Sequence, residues 1–178
     1  DVIYDGTNMQ MLSQLGNAPS GTAGVIDAVS YGVVCDGKTD TTAALQTAVT
    51  AAKTGTQGKR LAMPAGGTCK LSTAILITDV VGFTLDGNGV LFTWVGNSST
   101  PMFLLRDVRQ SAFHQFQVLT STTATLLAAG QIENGSGSTV TPTSNIFEDI
   151  HVECTNGGCT NGFRMALGSG GDNNNDFN

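Results

Sequence analysis

Carboxylates are the side chains in this chain whose type and spacing best suit catalysis. From residue 61 onward they are Asp79, Asp86, Asp107, Glu133, Glu148, Asp149, Glu153, Asp172 and Asp176. Glycoside hydrolysis takes an acid and a base or nucleophile held roughly 5 to 9.5 Å apart. Residues two apart along a strand share a face, and neighbouring strands run about 4.8 Å from each other. Glu148 therefore has a candidate partner one strand away, Asp176. This geometry permits a site without requiring one, because a solvated outer face accounts for the same acids.

The other chemistry-bearing residues have quieter explanations. Asp36 and Asp40 are close enough in sequence to suggest a carboxylate pair, but a turn role for the first and a helix-cap role for the second explain both. His114 and His151 occupy related positions beside apolar pairs and read as outer-face strand residues before general bases. Trp94, the sole tryptophan, fits a sugar-stacking ring, a core residue or a subunit contact. The four cysteines allow three pairings, between which sequence does not choose. Cys154 and Cys159 suit a small disulfide loop, and a bridge is open to Cys35 and Cys69. A zinc site takes two short cysteine pairs; only one loose pair exists, so no metal is expected.

The elements that must position these groups begin with a helix. Ala44, Leu45, Ala48, Val49 and Ala52 recur at helical spacing, which predicts a helix over 40–53. Asp40 supplies an N-cap worth about 1 kcal/mol, and Asp36-Gly37 the turn before it. Gly55 and Gly58 suit the left-handed ending of the helix. Strand-like segments follow. Gly82-Phe83-Thr84-Leu85-Asp86, Gln115-Phe116-Gln117-Val118 and Asp149-Ile150-His151-Val152 alternate in polarity and recur roughly 33 residues apart, a repeat-protein period. Phe83, Phe116 and Ile150 should stack inward, with Leu85, Val118 and Val152 beside them. A second set comprises Val90 to Trp94, Thr125 to Ala128 and Gly162 to Leu167, and a third Met102 to Leu105 and Leu71 to Ile77. Polar, Gly-rich spacers separate the sets, such as Gly96 to Pro101 and Gly135 to Thr139. Asn175-Asp176-Phe177-Asn178 echoes Asn145-Ile146-Phe147-Glu148 and reads as the start of a further repeat. An antiparallel sandwich is the rival fold, with Asp86-Gly87 and Asn156-Gly157 as its turns.

Composition narrows the partners. Charged residues make up 12% of the chain and the net charge is −6, where about 25% charged is usual. Thr, Ser, Asn and Gly carry the polarity instead. With no basic stripe, a nucleic-acid partner is not expected. No apolar run approaches the ~20 residues of a membrane-spanning helix, so membrane insertion is not expected. A secretory signal is absent and the chain begins with Asp1, so we expect a processed product or a piece of a longer protein, truncated at both ends.

Two segments carry family resemblances. The run from Val29-Ser30-Tyr31-Gly32 through Cys35-Asp36-Gly37-Lys38-Thr39-Asp40-Thr41-Thr42-Ala43-Ala44-Leu45-Gln46, followed by Met63-Pro64-Ala65-Gly66, resembles the opening of the pectate-lyase-like parallel β-helix superfamily. Val2-Ile3-Tyr4-Asp5-Gly6-Thr7-Asn8-Met9-Gln10-Met11-Leu12 resembles the last hairpin of bacteriophage tail-fibre modules, and Asn17 to Gly24 reads as a linker. The resemblances imply an all-β chain. Its fold would be a right-handed single-stranded parallel β-helix with an N-terminal capping α-helix. Its divisions would be 1–24 (the end of an upstream virion-attachment module plus linker), 25–60 (cap) and 61–178 (first coils).

The implied function is that of a phage tailspike in the virion tail, extracellular, which recognises and depolymerises a bacterial surface polysaccharide. Its implied partners are capsular polysaccharide or O-antigen, other virion tail proteins and two further copies in a homotrimer. A non-enzymatic adhesive or spacer protein of the virion, and a secreted pectinase-like enzyme, are the alternatives. The family's groove lies on later coils and none of its catalytic motifs matches here, so the catalytic residues are unassigned and no cofactor is expected. Assembly in a reducing cytoplasm would leave the cysteines as free thiols.

Overall fold

The computed structural model describes residues 24–96, 100–120, 126–135, 142–154 and 158–166, together with the backbone of 2–4, 9–11 and 176–177. The strands are β1 (Val2–Tyr4), β2 (Met9–Met11), β3 (Val25–Asp27), β4 (Asp36–Asp40), β5 (Lys53–Thr54), β6 (Gln57–Gly58), β7 (Arg60–Ala62), β8 (Thr68–Leu71), β9 (Ile75–Val81) and β10 (Thr84–Trp94). They continue as β11 (Phe103–Arg109), β12 (Ala112–Thr120), β13 (Leu126–Glu133), β14 (Ile146–Glu153), β15 (Cys159–Ala166) and β16 (Asp176–Phe177). One α-helix, α1 (Thr42–Ala51), and a short 3-10 helix (Ala28–Tyr31) precede the long strands.

The strands form two large sheets. The eight-stranded one runs β16-β14-β12-β10-β7-β3, with β8 also on β10 and β4 on β8; the six-stranded one runs β15-β13-β11-β9-β6-β5. From β9 onward consecutive strands go to opposite sheets, and every pairing within a sheet is parallel there. Parallel ladders buried between layers suit runs of Val, Ile, Leu and Phe. Phe92 and Phe116 of the larger sheet meet Phe103 of the smaller, with ring centroids 5.2 and 5.7 Å away from it. The two sheets therefore share one core.

This corrects the expected architecture. The strands make two open, mainly parallel sheets and not a closed, single-stranded right-handed β-helix. Each ladder is a linear order with two edges, and two antiparallel pairs stand among the parallel ones: β1 with β2, where Val2 opposes Met11, and β5 with β6. The antiparallel sandwich fails too, since the long strands pair in parallel. Neither expected third strand position exists as a separate sheet. Met102 to Leu105 joins Ala128 and Gly162 to Ala166 in the six-stranded sheet, whereas Val90 to Trp94 continues the strand begun at Thr84.

Register departs from expectation for the same region. Phe116 aligns with Val90 on one side and Ile150 on the other; Phe113, between Leu85 and Phe147, takes the place expected of its neighbours. Between Asp86 and Val90 the ladder slips. There Gly87, Asn88 and Gly89 oppose the single residue Gln115, a bulge that a strict alternation misses. Phe83 still packs inward, 5.9 Å from Phe113.

Helix α1 buries Leu45, Ala48 and Val49 on one face. Thr41 stands at the N-cap without a side-chain cap bond, and Asp40 one residue earlier does that work. Its Oδ1 accepts from the Thr42 N–H at 2.9 Å and the Thr42 hydroxyl at 2.6 Å, and its Oδ2 accepts from Ser72. The helix ends at Ala52 without a left-handed glycine; Gly55 instead turns the β5–β6 hairpin with φ +60°. At its outer edge β9 is closed by side chains from α1 and β5. The Gln46 amide donates to the Leu76 carbonyl (2.9 Å) and accepts from the Leu76 N–H (2.8 Å), and Lys53 Nζ donates to the Thr78 carbonyl (2.6 Å).

Burial pushes the Asp40 carboxyl up, but the Ser72 and Thr42 hydrogen bonds and the Lys70 charge outweigh it, so its pKa lies below the ordinary 3.8. The Thr39 and Lys38 N–H groups hold Asp36 down likewise. A carboxyl depressed in the folded state adds stability above its unfolded pKa and loses it as pH falls through the folded value. Asp40→Ala should therefore cost about 1 kcal/mol at pH 7, and the difference from the parent should shrink as pH drops below 3.8. Thermal melts of both proteins from pH 7 to pH 2 measure this, and a difference independent of pH would remove the carboxylate from the account.

Buried polar groups tie the two sheets together where strands cross between them. Ser111 Oγ accepts from the Phe83 N–H (3.0 Å) and donates to the Arg109 carbonyl (2.9 Å). Asn145, fully buried, accepts from the Ser111 N–H at 3.1 Å and donates to the Val108 carbonyl at 2.8 Å. Cys35 bridges Cys69, and Cys154 bridges Cys159. Both are bridges that the sequence leaves open, and they stand against the free thiols that assembly in a reducing cytoplasm would leave. The Thr155 to Gly157 loop, the 17–23 linker, and residues 97–99 and 136–139 of the two Gly-rich spacers lie outside the described residues.

Candidate functional site

The outer face of the eight-stranded sheet gathers most of the candidate residues. Before the bulge, Asp86 aligns with His114 and His114 with Glu148, giving one outward row across three strands. Asp86 is nearly buried and held by Arg60, and His114 Nδ1 lies 3.9 Å from its Oδ1. The Asn88 N–H also donates to it, at 3.3 Å. With Arg60 in place this carboxylate is a structural anchor for the bulge.

Other sequence candidates are similarly occupied. Glu133 accepts from Arg106 Nε at 2.7 Å and from Gln131 at 2.8 Å, and Asp107 accepts from the Gly135 N–H at 2.8 Å. Asp79 and Glu153 are exposed, far along separate strands. The proposed partner of Glu148 does not align with it: Asp176 pairs with Ile146. Asp172 lies outside the described residues. Trp94 is fully buried in the core, which removes it as a sugar-stacking surface.

The structure instead assembles a site at a bend. Gln115 and Asp149 both adopt left-handed backbone, with φ +60° and +52°. They stand side by side, because His114 aligns with Glu148 before them and Phe116 with Ile150 after them. Left-handed backbone is tolerable for Asp but uncommon for Gln, and it turns both strands at the same level. The turn opens a depression of about 560 Å³ lined by Gly89, Gln115, Phe116, Gln117, Asp149, Ile150 and His151.

Gln117 aligns with His151, so two pairs of polar side chains stand on the outer face, while Phe116 and Ile150 between them turn inward to the core. Neighbouring strands are about 4.8 Å apart and alternate residues about 7 Å apart along a strand, a spacing on the scale of one sugar ring. Gln115 and Gln117 each offer both a donor and an acceptor. Among the described residues no ion pair engages Asp149.

Sequence reading placed Gln115 and Gln117 on a strand without assigning them a role, and it weighed Asp149 only as one acid among several. The only signal was three glycine and asparagine residues at Gly87 to Gly89, which make room for the opposite corner.

No family model matches the chain, and no curated protein matches it. Among solved structures, the ORF18 protein of Geobacillus virus E2 is similar, with a TM-score of 0.49 and 17% identity. The similarity covers 86% of this chain and 41% of that one, so this chain spans less than half the length of that virus protein.

Proposed function

We propose that this protein is part of a virion tail and binds a bacterial surface polysaccharide, capsular or O-antigen, in the depression at Gln115, Gln117, Asp149 and His151. The depression itself carries the reading: neutral amides, a carboxylate and an imidazole stand together on one outer face at sugar-ring spacing. Sugars present donor–acceptor hydroxyls that side-chain amides satisfy from either atom. The virion context rests on the resemblance at Val2 to Leu12 to tail-fibre modules. From that resemblance also come a homotrimeric assembly and other tail proteins as partners.

Recognition suits the site better than cleavage. Asp86, Asp107 and Glu133 are each held by a structural partner, and the unengaged Glu148, Asp149 and Glu153 all lie on the single strand β14. Purified capsule or lipopolysaccharide should co-sediment with the protein and keep its chain length. Gln117→Ala combined with His151→Ala removes two hydrogen bonds of about 1 kcal/mol each and should weaken binding roughly tenfold to a hundredfold. Unchanged affinity in that variant would move the site elsewhere, and shortened polymer would make the protein an enzyme.

A further inference from the structure

We infer that the depression selects uncharged glycans and turns away uronate-bearing ones, with Asp149 as the residue that sets the discrimination. The inference rests on the glycan reading above and goes beyond it to the charge of the ligand.

The argument is one of charge placement. The two strands that form the depression, β12 and β14, contain no Lys or Arg at any position. Strand β14 places Glu148, Asp149 and Glu153 at exposed positions around His151. Arg60, on β7 of the same sheet, is committed to Asp86. Lys70 lies on β8, with β10 between it and β12, opposite Thr93, and points its charge toward Asp40 and the Lys38 carbonyl. A ligand in the depression therefore meets one carboxylate at its centre, two at its rim and no fixed cation. Vicinal hydroxyls donate well to a carboxylate, whereas a uronate placed there faces like charge that no neighbouring group offsets. Like charges within hydrogen-bonding reach of each other disfavour binding by an amount that salt reduces.

Asp149→Asn is the informative variant. Asn keeps the size of the side chain and, like Asp, accepts left-handed backbone, so the bend at φ +52° survives. The intact protein and this variant would be assayed against an array of bacterial glycans, neutral and uronate-bearing. Polygalacturonate and its carboxyl-reduced form would be added as a pair that differs only in charge. Circular dichroism and melting temperature would confirm that both proteins are equally folded.

The parent should bind neutral glycans and the reduced polymer in preference to the uronates. The variant should narrow that preference about tenfold at low salt. Binding dominated by uronates, or a preference that Asp149→Asn leaves unchanged, would overturn the inference and leave the glycan reading standing. No binding to any glycan would overturn both.

Discussion

Asn145→Leu should destabilise the protein by about 2–6 kcal/mol, since it strands two buried backbone groups at about 1–3 kcal/mol each. The side chain is fully buried and spans a crossing between the sheets, accepting from the Ser111 N–H and donating to the Val108 carbonyl. Leucine shares asparagine's branched skeleton and is more apolar, so a purely hydrophobic account of the core would predict a neutral or favourable change. The cost arises because Ser111 and Val108 are buried along with the side chain that pairs them. Asn145→Asp keeps the acceptor but, ionised and buried, sets an unpaired charge against the Val108 carbonyl and should cost at least as much. Urea unfolding of the three proteins measures this. A loss below about 1 kcal/mol for the leucine variant would mean that the crossing relaxes and finds other partners.

The second large effect concerns the cross-link at the start of the sheets. Cys35 and Cys69 lie 34 residues apart in sequence, and closing a loop of that size restricts the unfolded chain by about 3–4 kcal/mol in the chain-entropy account. Replacing both by alanine should lower stability by about that amount. The Cys154–Cys159 bridge spans only 5 residues, and its removal should cost about 2 kcal/mol in the same account. Melting the two double-alanine variants beside the parent, with and without reductant, separates the contributions. Equal losses from both bridges would contradict loop length as the controlling variable. A reductant that leaves the parent unchanged would show that the thiols are free in solution.

The particular residues that were legible from sequence share one property: their signal is local. Helix α1 followed from Leu45, Ala48 and Val49, whose spacing alone defines a face. Asp40 was recognised as the acceptor at its start, although the carboxylate works one residue ahead of the N-cap position. Strand positions around Phe116 and Ile150 followed from alternation, and these two residues do stand in register.

What failed depended on pairing between distant segments. Phe83 was assigned to their stack, but the Gly87-Asn88-Gly89 bulge shifts the first strand and brings Val90 there instead. The same omission hid the candidate site, because Gln115 and Asp149 turn left-handed to face that bulge, and nothing about a glutamine advertises positive φ. The division of the strands between two open sheets was equally hidden. Alternation reports which side of a strand is buried and not which sheet the strand joins. Disulfide partners, too, are set by the assembled fold.

Gln46 gives the smaller sheet a chemical vulnerability. Its side-chain amide stands where a neighbouring strand would be, presenting one donor and one acceptor to Leu76 as a peptide group does. Deamidation, the slow hydrolysis that turns glutamine into glutamate with age, would replace that donor with a second acceptor. The Leu76 carbonyl would then face a negative oxygen and lose its partner, while the N–H kept its own. An exposed strand edge invites pairing with another chain, so a single ageing event on a helix could convert a sealed margin into a sticky one without altering any residue of the sheet.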